Sequence, residues 1–205
     1  MQMRIPDLVQ RAIDLAEELG FPLMPEGRPP GYSGPPSACI PEVGRLLSVL
    51  VAARPGGRIA ESGTGAGVGT AWIISGMLSD AHLLSVEIDQ KLVAVARLFR
   101  DQPNVEIRHG DWRDVLVDEV PFDLLFWDAG SREALERSNW NRITELVTVG
   151  GQIVMDDLIP VEMWPPEWED QIDLKREFAF SNPRVVGTEV RTTAKTVALI
   201  ITRIR

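Results

Sequence analysis

The chain has 205 residues, 44% apolar and 25% charged, with a net charge of −9. That suits one α/β domain with a substantial core and is too short for two ordinary ones. No stretch approaches the roughly 18 apolar residues of a membrane span and the start MQMRIPDLVQ lacks the apolar core of an export signal, which leads to the expectation of a cytoplasmic protein with no membrane partner. The acidic balance argues against a nucleic-acid partner, and the single Cys39 can form neither an intrachain disulfide nor a multi-thiolate zinc site.

Residues 1–20 place Leu8, Ala12, Leu15 and Leu19 at helical spacing ahead of Gly20, which predicts an amphipathic helix. The six prolines and three glycines of FPLMPEGRPPGYSGPP (21–36) predict a linker or lid without regular elements. Residues 1–39 are therefore read as an N-terminal helix with a Pro-rich lid or linker, and 40–205 as the domain proper. Val43, Leu46, Leu47 and Leu50 predict a helix over 41–53, closed by Pro55, Gly56 and Gly57. From residue 58 strand and helix patterns alternate: RIAES, a helical run to Leu78, LLSVEI, a helix over 91–99, VEIRH, DLLFWD (123–128), a helix near 132–147 and QIVMDD (152–157). Such alternation predicts a parallel sheet. The tail reads as a helix over 168–178 and strands near 185–191 and 196–202, whose short connection favours an antiparallel hairpin.

Between the first strand and its helix, ESGTGAGVGT (61–70) carries Gly63, Gly65, Gly67 and Gly69. Glycines there let backbone N–H groups approach a ligand. The dinucleotide fingerprint G-x-G-x-x-G fails in register, since its last position falls on Val68 or Thr70, and the phosphate loop G-x-x-x-x-G-K-[ST] is absent. Glu87 ends the second strand twenty residues beyond Gly67, the separation at which a carboxylate reaches a ribose in nucleotide-type folds; a solvated strand-end carboxylate is the plainer alternative. HGDW (109–112) offers Asp111 as acceptor for an adenine amino group and the Trp112 backbone N–H as donor to the ring.

Through ESGTGAGVG, SVEID and HGDW, in that order and spacing, residues 40–205 resemble the class I S-adenosylmethionine-dependent methyltransferases. The resemblance implies a Rossmann-like seven-stranded sheet of order 3-2-1-4-5-7-6 with only strand 7 antiparallel. It implies S-adenosylmethionine as cofactor, with Glu61, Gly63, Thr64, Gly65, Gly67, Gly69 and Thr70 at its methionine end. Glu87 and Ile88 would lie at the ribose, Asp111 and Trp112 at the adenine, and Asp128 beside the cofactor. The cationic cofactor also suits an acidic pocket. Related enzymes commonly form homodimers, a contact the N-terminal helix could serve.

Asp128 ends the fourth strand, and Asp156 and Asp157 the fifth, so adjacent parallel strands would bring three carboxylates to one sheet edge. Hard oxygen ligands without Cys or His favour Mg²⁺, Mn²⁺ or Ca²⁺; the alternative is a cofactor contact at Asp128 beside a helix cap and a solvated neighbour. The pattern is similar to the catechol and caffeoyl-coenzyme A type O-methyltransferases, where a strand-four Asp and a strand-five Asp-Asn pair hold the ion. Asp157 stands in place of Asn. Where that family carries a Lys, this chain has Ser131, a poor base at neutral pH, followed by Arg132, which could stabilise an oxyanion. Trp164 and Trp168 could wall a flat substrate or anchor their Pro-rich loop to the core. The resulting expectation is cation-assisted O-methylation of a small hydroxylated aromatic molecule. The alternatives are a metal-independent methyltransferase, a non-catalytic binder of the cofactor and, more remotely, a nicotinamide-dependent oxidoreductase.

Overall fold

Strict alternation of side chains along short apolar strands gives the sheet two buried faces. In the computed structural model, which describes residues 4–30, 32, 34–128, 135–168 and 170–205, the strands are β1 (Arg58–Ser62), β2 (His82–Glu87), β3 (Val105–His109), β4 (Phe122–Trp127), β5 (Val147–Leu158), β6 (Val185–Arg191) and β7 (Val197–Arg203). They form one sheet of order β3-β2-β1-β4-β5-β7-β6. β7 runs antiparallel to both its neighbours, and the remaining pairs are parallel. The expected order and hairpin are both present.

Ile59, Leu83, Leu124 and Phe126 point to one face, where they meet α1 (Asp7–Glu18), α2 (Pro41–Ala52) and α3 (Val68–Gly76). Ala60, Leu84, Leu125 and Trp127 point to the other, covered by α4 (Trp112–Val115), α5 (Trp140–Glu145) and α6 (Leu174–Ser181). Glycines set the closest helix contact. A Cβ at Gly44 would lie 2.2 Å from the Trp72 indole and one at Gly76 2.2 Å from the Ser48 carbonyl oxygen, so α2 and α3 touch almost backbone to backbone.

Several expected elements shift. The buried face of α1 is Val9, Ala12, Ile13 and Ala16, while Leu19 is exposed. That of α2 is Val43, Gly44, Leu47 and Val51. The helix expected over 91–99 is a 3₁₀ segment, Leu92–Phe99. Among the described residues, the helix expected near 132–147 is reduced to a 3₁₀ turn, Arg137–Asn139, and α5. The helix expected from residue 168 begins at Leu174, because Asp173 accepts from the Lys175 and Arg176 N–H groups and fixes the start there. The Pro-rich stretch forms two isolated bridges where none was expected, Leu23 to Ala38 and Arg28 to Leu158. Among the described residues no helix is long and apolar enough to cross a membrane.

Candidate active site

The glycine loop leaves β1 at Ser62 and enters α3 through Gly67, with Gly63, Gly65 and Gly67 all at positive φ. A side chain would be strained at each of these positions. The Gly63 and Thr64 N–H groups donate to Val86 O, and Gly67 N–H donates to Thr64 O, so β2 and the loop hold each other. Beneath the loop Glu61 is 1% exposed and accepts 2.5 Å hydrogen bonds from the Thr70 and Ser85 hydroxyls. A Cβ at Gly69 would come within 2.6 Å of its other oxygen. Burial pushes the Glu61 carboxyl up to about 7 against the pull of those hydroxyls, with the Glu87 charge adding to the rise. The expected methionine-end carboxylate is thus also the buttress of the loop.

Glu87 is buried and splits its oxygens, one accepting from Gly65 N–H and the other from Asp89 N–H, both at 2.8 Å. A carboxylate has lone pairs left after two such bonds, so ribose hydroxyls remain within its capacity. Ile88, beside it, is exposed. Asp111 caps α4 by accepting from Arg113 N–H and pairs with the Arg113 guanidinium, which holds its carboxyl below the usual range. Trp112 is buried, edge-on to Trp127 at 4.6 Å.

Ligand oxygens of Asp128, Asp156 and Asp157 lie within 4.8 Å of one another. Consecutive strand residues normally point to opposite faces. Here β5 slips register against β7 between Met155 and Leu158, and Asp157 takes φ 66°, the only non-glycine positive φ among the described residues. That left-handed step turns two neighbouring carboxylates toward one place, and Asp and Asn are the side chains that tolerate it best. Asp128 is partly open to solvent, yet protein crowds its other sides; burial and the charges of Asp156 and Asp157 push it well up. Burial and Asp157 raise Asp156 to about 7, opposed by Lys175 and Arg28. Asp156 Oδ1 is buried with no hydrogen-bond partner. Three hard oxygens in repulsion, one of them unsatisfied, fit a divalent cation.

Two cations that sequence reasoning missed reach this cluster. Lys175, on α6, donates from Nζ to Asp156 O at 2.6 Å, and Arg28, from the Pro-rich stretch, places Nε 3.1 Å from Asp157 Oδ2. The same stretch lays Phe21 against Gly65, where an added Cβ would meet its ring at 3.5 Å. No periodicity announces these contacts; the signal for Arg28 was a lone base in a proline-rich segment. Ser131 and Arg132 lie outside the described residues. Trp164 and Trp168 face each other edge-on at 6.4 Å, and Trp164 is anchored by a bond to Ile159 O and by the Arg176 guanidinium over its ring. Burial pushes the Cys39 thiol up, helped by the nearby aspartates, and the thiol donates to Ile40 O.

The strand order with its single reversed strand, the glycine loop after β1 and the carboxylate ending β2 together match the class I methyltransferase fold. Residues 60–158 match a family described as a methyltransferase domain. Over 99 residues the chain is 43% identical to a Mycobacterium avium protein provisionally named an O-methyltransferase, and 34% identical to one from Mycobacterium leprae with the same provisional name. These matches span 45% of this chain and 45% and 44% of those relatives, so under half of each relative's length is covered. In fold, the O-methyltransferase TomG from Streptomyces achromogenes, solved with S-adenosylmethionine, superposes with TM-score 0.72 at 20% identity over 100% of this chain and 93% of its own. An O-methyltransferase from Bacillus cereus, solved with SAH, gives 0.72 at 18% identity over 99% and 94%. The chain thus shares the fold of these methyltransferases.

Proposed function

We propose that the chain transfers the methyl group of S-adenosylmethionine to an oxygen of a small hydroxylated aromatic molecule, with a divalent cation held by Asp128, Asp156 and Asp157. The observation that carries this reading is the placement of the glycine loop and the acidic cluster at the carboxyl ends of adjoining strands β1, β4 and β5, where open α/β sheets bind ligands. A cation there would supply Lewis acidity, favouring the acceptor as its oxyanion.

The chain's own part is alignment. Glu87 takes the ribose hydroxyls on its remaining lone pairs, Asp111 takes the adenine amino group, and the loop over Glu61 takes the methionine end. Holding acceptor oxygen, methyl carbon and sulfur in line supplies much of the acceleration. The new C–O bond forms as the C–S bond breaks, so S-adenosylhomocysteine leaves as the other product.

Calorimetric titration of S-adenosylmethionine into metal-stripped protein, repeated with Mg²⁺, tests the reading. Saturable one-site binding is expected, and absence of binding in both conditions overturns it. Glu87→Ala should weaken cofactor binding by about 1–3 kcal/mol, the cost of losing charge-assisted hydrogen bonds. Asp156→Ala should abolish cation-stimulated turnover of hydroxylated aromatics and spare cofactor affinity. A second reading, the same transfer without a cation, is favoured by the positive charge that Arg28 and Lys175 already bring to the cluster.

A further inference from the structure

Arg28 is held against the acidic cluster in two separable ways. Its backbone N–H donates to Asp157 O at 2.6 Å, and Gly27 beside it lies so close to Leu158 that an added Cβ would meet the Leu158 carbonyl oxygen at 2.5 Å. These contacts fix the main chain. Its guanidinium approaches Asp157 Oδ2 at 3.1 Å, but Nε has no aligned hydrogen-bond acceptor, so the attraction is charge without a directional bond. The other end of the guanidinium donates to Ser37 Oγ and lies 4.7 Å from the centre of the Tyr32 ring. The side chain thus has a resting place that does not depend on Asp157.

We propose that Arg28 is a resident counter-ion which a divalent cation must displace from Asp157, the guanidinium drawing its Nε edge away while it keeps Ser37 and Tyr32 and its backbone stays pinned to β5. The inference rests on the cation-assisted reading above. With all three carboxylates ionised, as a bound cation requires, their formal charge is −3, and Arg28 with Lys175 brings that of the cluster to −1. A doubly charged ion is attracted far less by the second value than by the first. Neither base satisfies Asp156 Oδ1, which keeps a ligand atom available to the incoming ion. Linkage makes the competition reciprocal: whatever factor Arg28 takes from cation affinity, the cation takes from the Arg28 contact.

The test is Mn²⁺ binding to the full chain at pH 8, read from the paramagnetic resonance of the free ion, for wild type, Arg28→Ala, Arg28→Gln and Arg28→Lys. Loss of the charge should tighten binding about tenfold or more in the first two variants, as expected for removing a unit charge within a few ångströms. Arg28→Lys, which keeps the charge, should stay near wild type. A side chain that merely stiffened the segment would leave Mn²⁺ affinity unchanged or lower it on removal. Equal or weaker binding in both neutral variants overturns the proposal and leaves the cation reading standing. No Mn²⁺ binding by any of the four proteins overturns the cation reading and the proposal together. Arg28→Gln keeps the test valid should Arg28→Ala disturb the local fold.

Discussion

At the residue scale the site holds three carboxyls, Glu61, Asp128 and Asp156, whose burial favours the protonated form. Glu61 titrates near 7 in the folded chain against 4.5 for the free group, because burial penalises its charge more than two hydroxyls reward it. The folded state therefore binds that proton more tightly than the unfolded one. Stability is fully present below pH 4.5 and falls as pH rises to about 7, a loss of about 3 kcal/mol from this group alone. Thermal melts of the apoprotein between pH 4.5 and 8 should show the decline, and Glu61→Gln should make it shallower, leaving the part that Asp128 and Asp156 contribute; an unchanged slope in the variant would contradict the assignment. Asp157 gives a second residue-scale test. Its left-handed backbone suits Asn as well as Asp, so Asp157→Asn should keep stability close to wild type, whereas Asp157→Ala should lose about 1 kcal/mol or more in denaturant titrations.

At the element scale the glycines decide how closely parts approach. The Gly76 contact with Ser48 leaves no room for a methyl group, and Gly76→Ala should cost about 1–3 kcal/mol by forcing α2 and α3 apart. Urea unfolding at constant m-value would measure it. The elements were also where sequence reading was strongest. The alternation of RIAES, LLSVEI, VEIRH and DLLFWD with helical runs placed β1 to β4 within a residue, because apolar period reports burial directly, whereas β5, expected over 152–157, begins five residues earlier at Val147. It erred where packing overrides period. α1 turns a neighbouring stripe, centred on Val9 and Ile13, toward the sheet, leaving Leu19 in solvent. The 92–99 segment winds as 3₁₀ although its pattern reads as α. The site divided the same way. Glu61, Glu87 and the three aspartates sit at strand ends and could be found by position along the chain. Arg28 and Lys175 arrive through tertiary contacts between segments remote in sequence, which no local pattern encodes.

At the scale of the whole molecule, the Pro-rich stretch joins both halves of the site. Phe21 rests on the glycine loop and Arg28 on the end of β5, while Gly27 and Glu26 tie it to Lys195 beyond β6. The chain carries a net charge of −9, and the expected cofactor is cationic at sulfur and ammonium. Cofactor affinity should therefore fall as NaCl is raised from about 20 to 500 mM, since screening over a shrinking Debye length removes the long-range attraction. Salt-insensitive binding would place the recognition wholly in direct hydrogen bonds.

The crossed indoles of Trp112 and Trp127 carry a consequence of another kind. Two chromophores 4.6 Å apart with planes at 72° couple their electronic transitions, and such a pair splits one absorption band into a couplet of opposite signs in circular dichroism. Because Trp112 directly follows Asp111 just beyond the carboxyl end of β3, the protein contains an optical gauge of that edge. Its amplitude can be followed during titration without attaching any label.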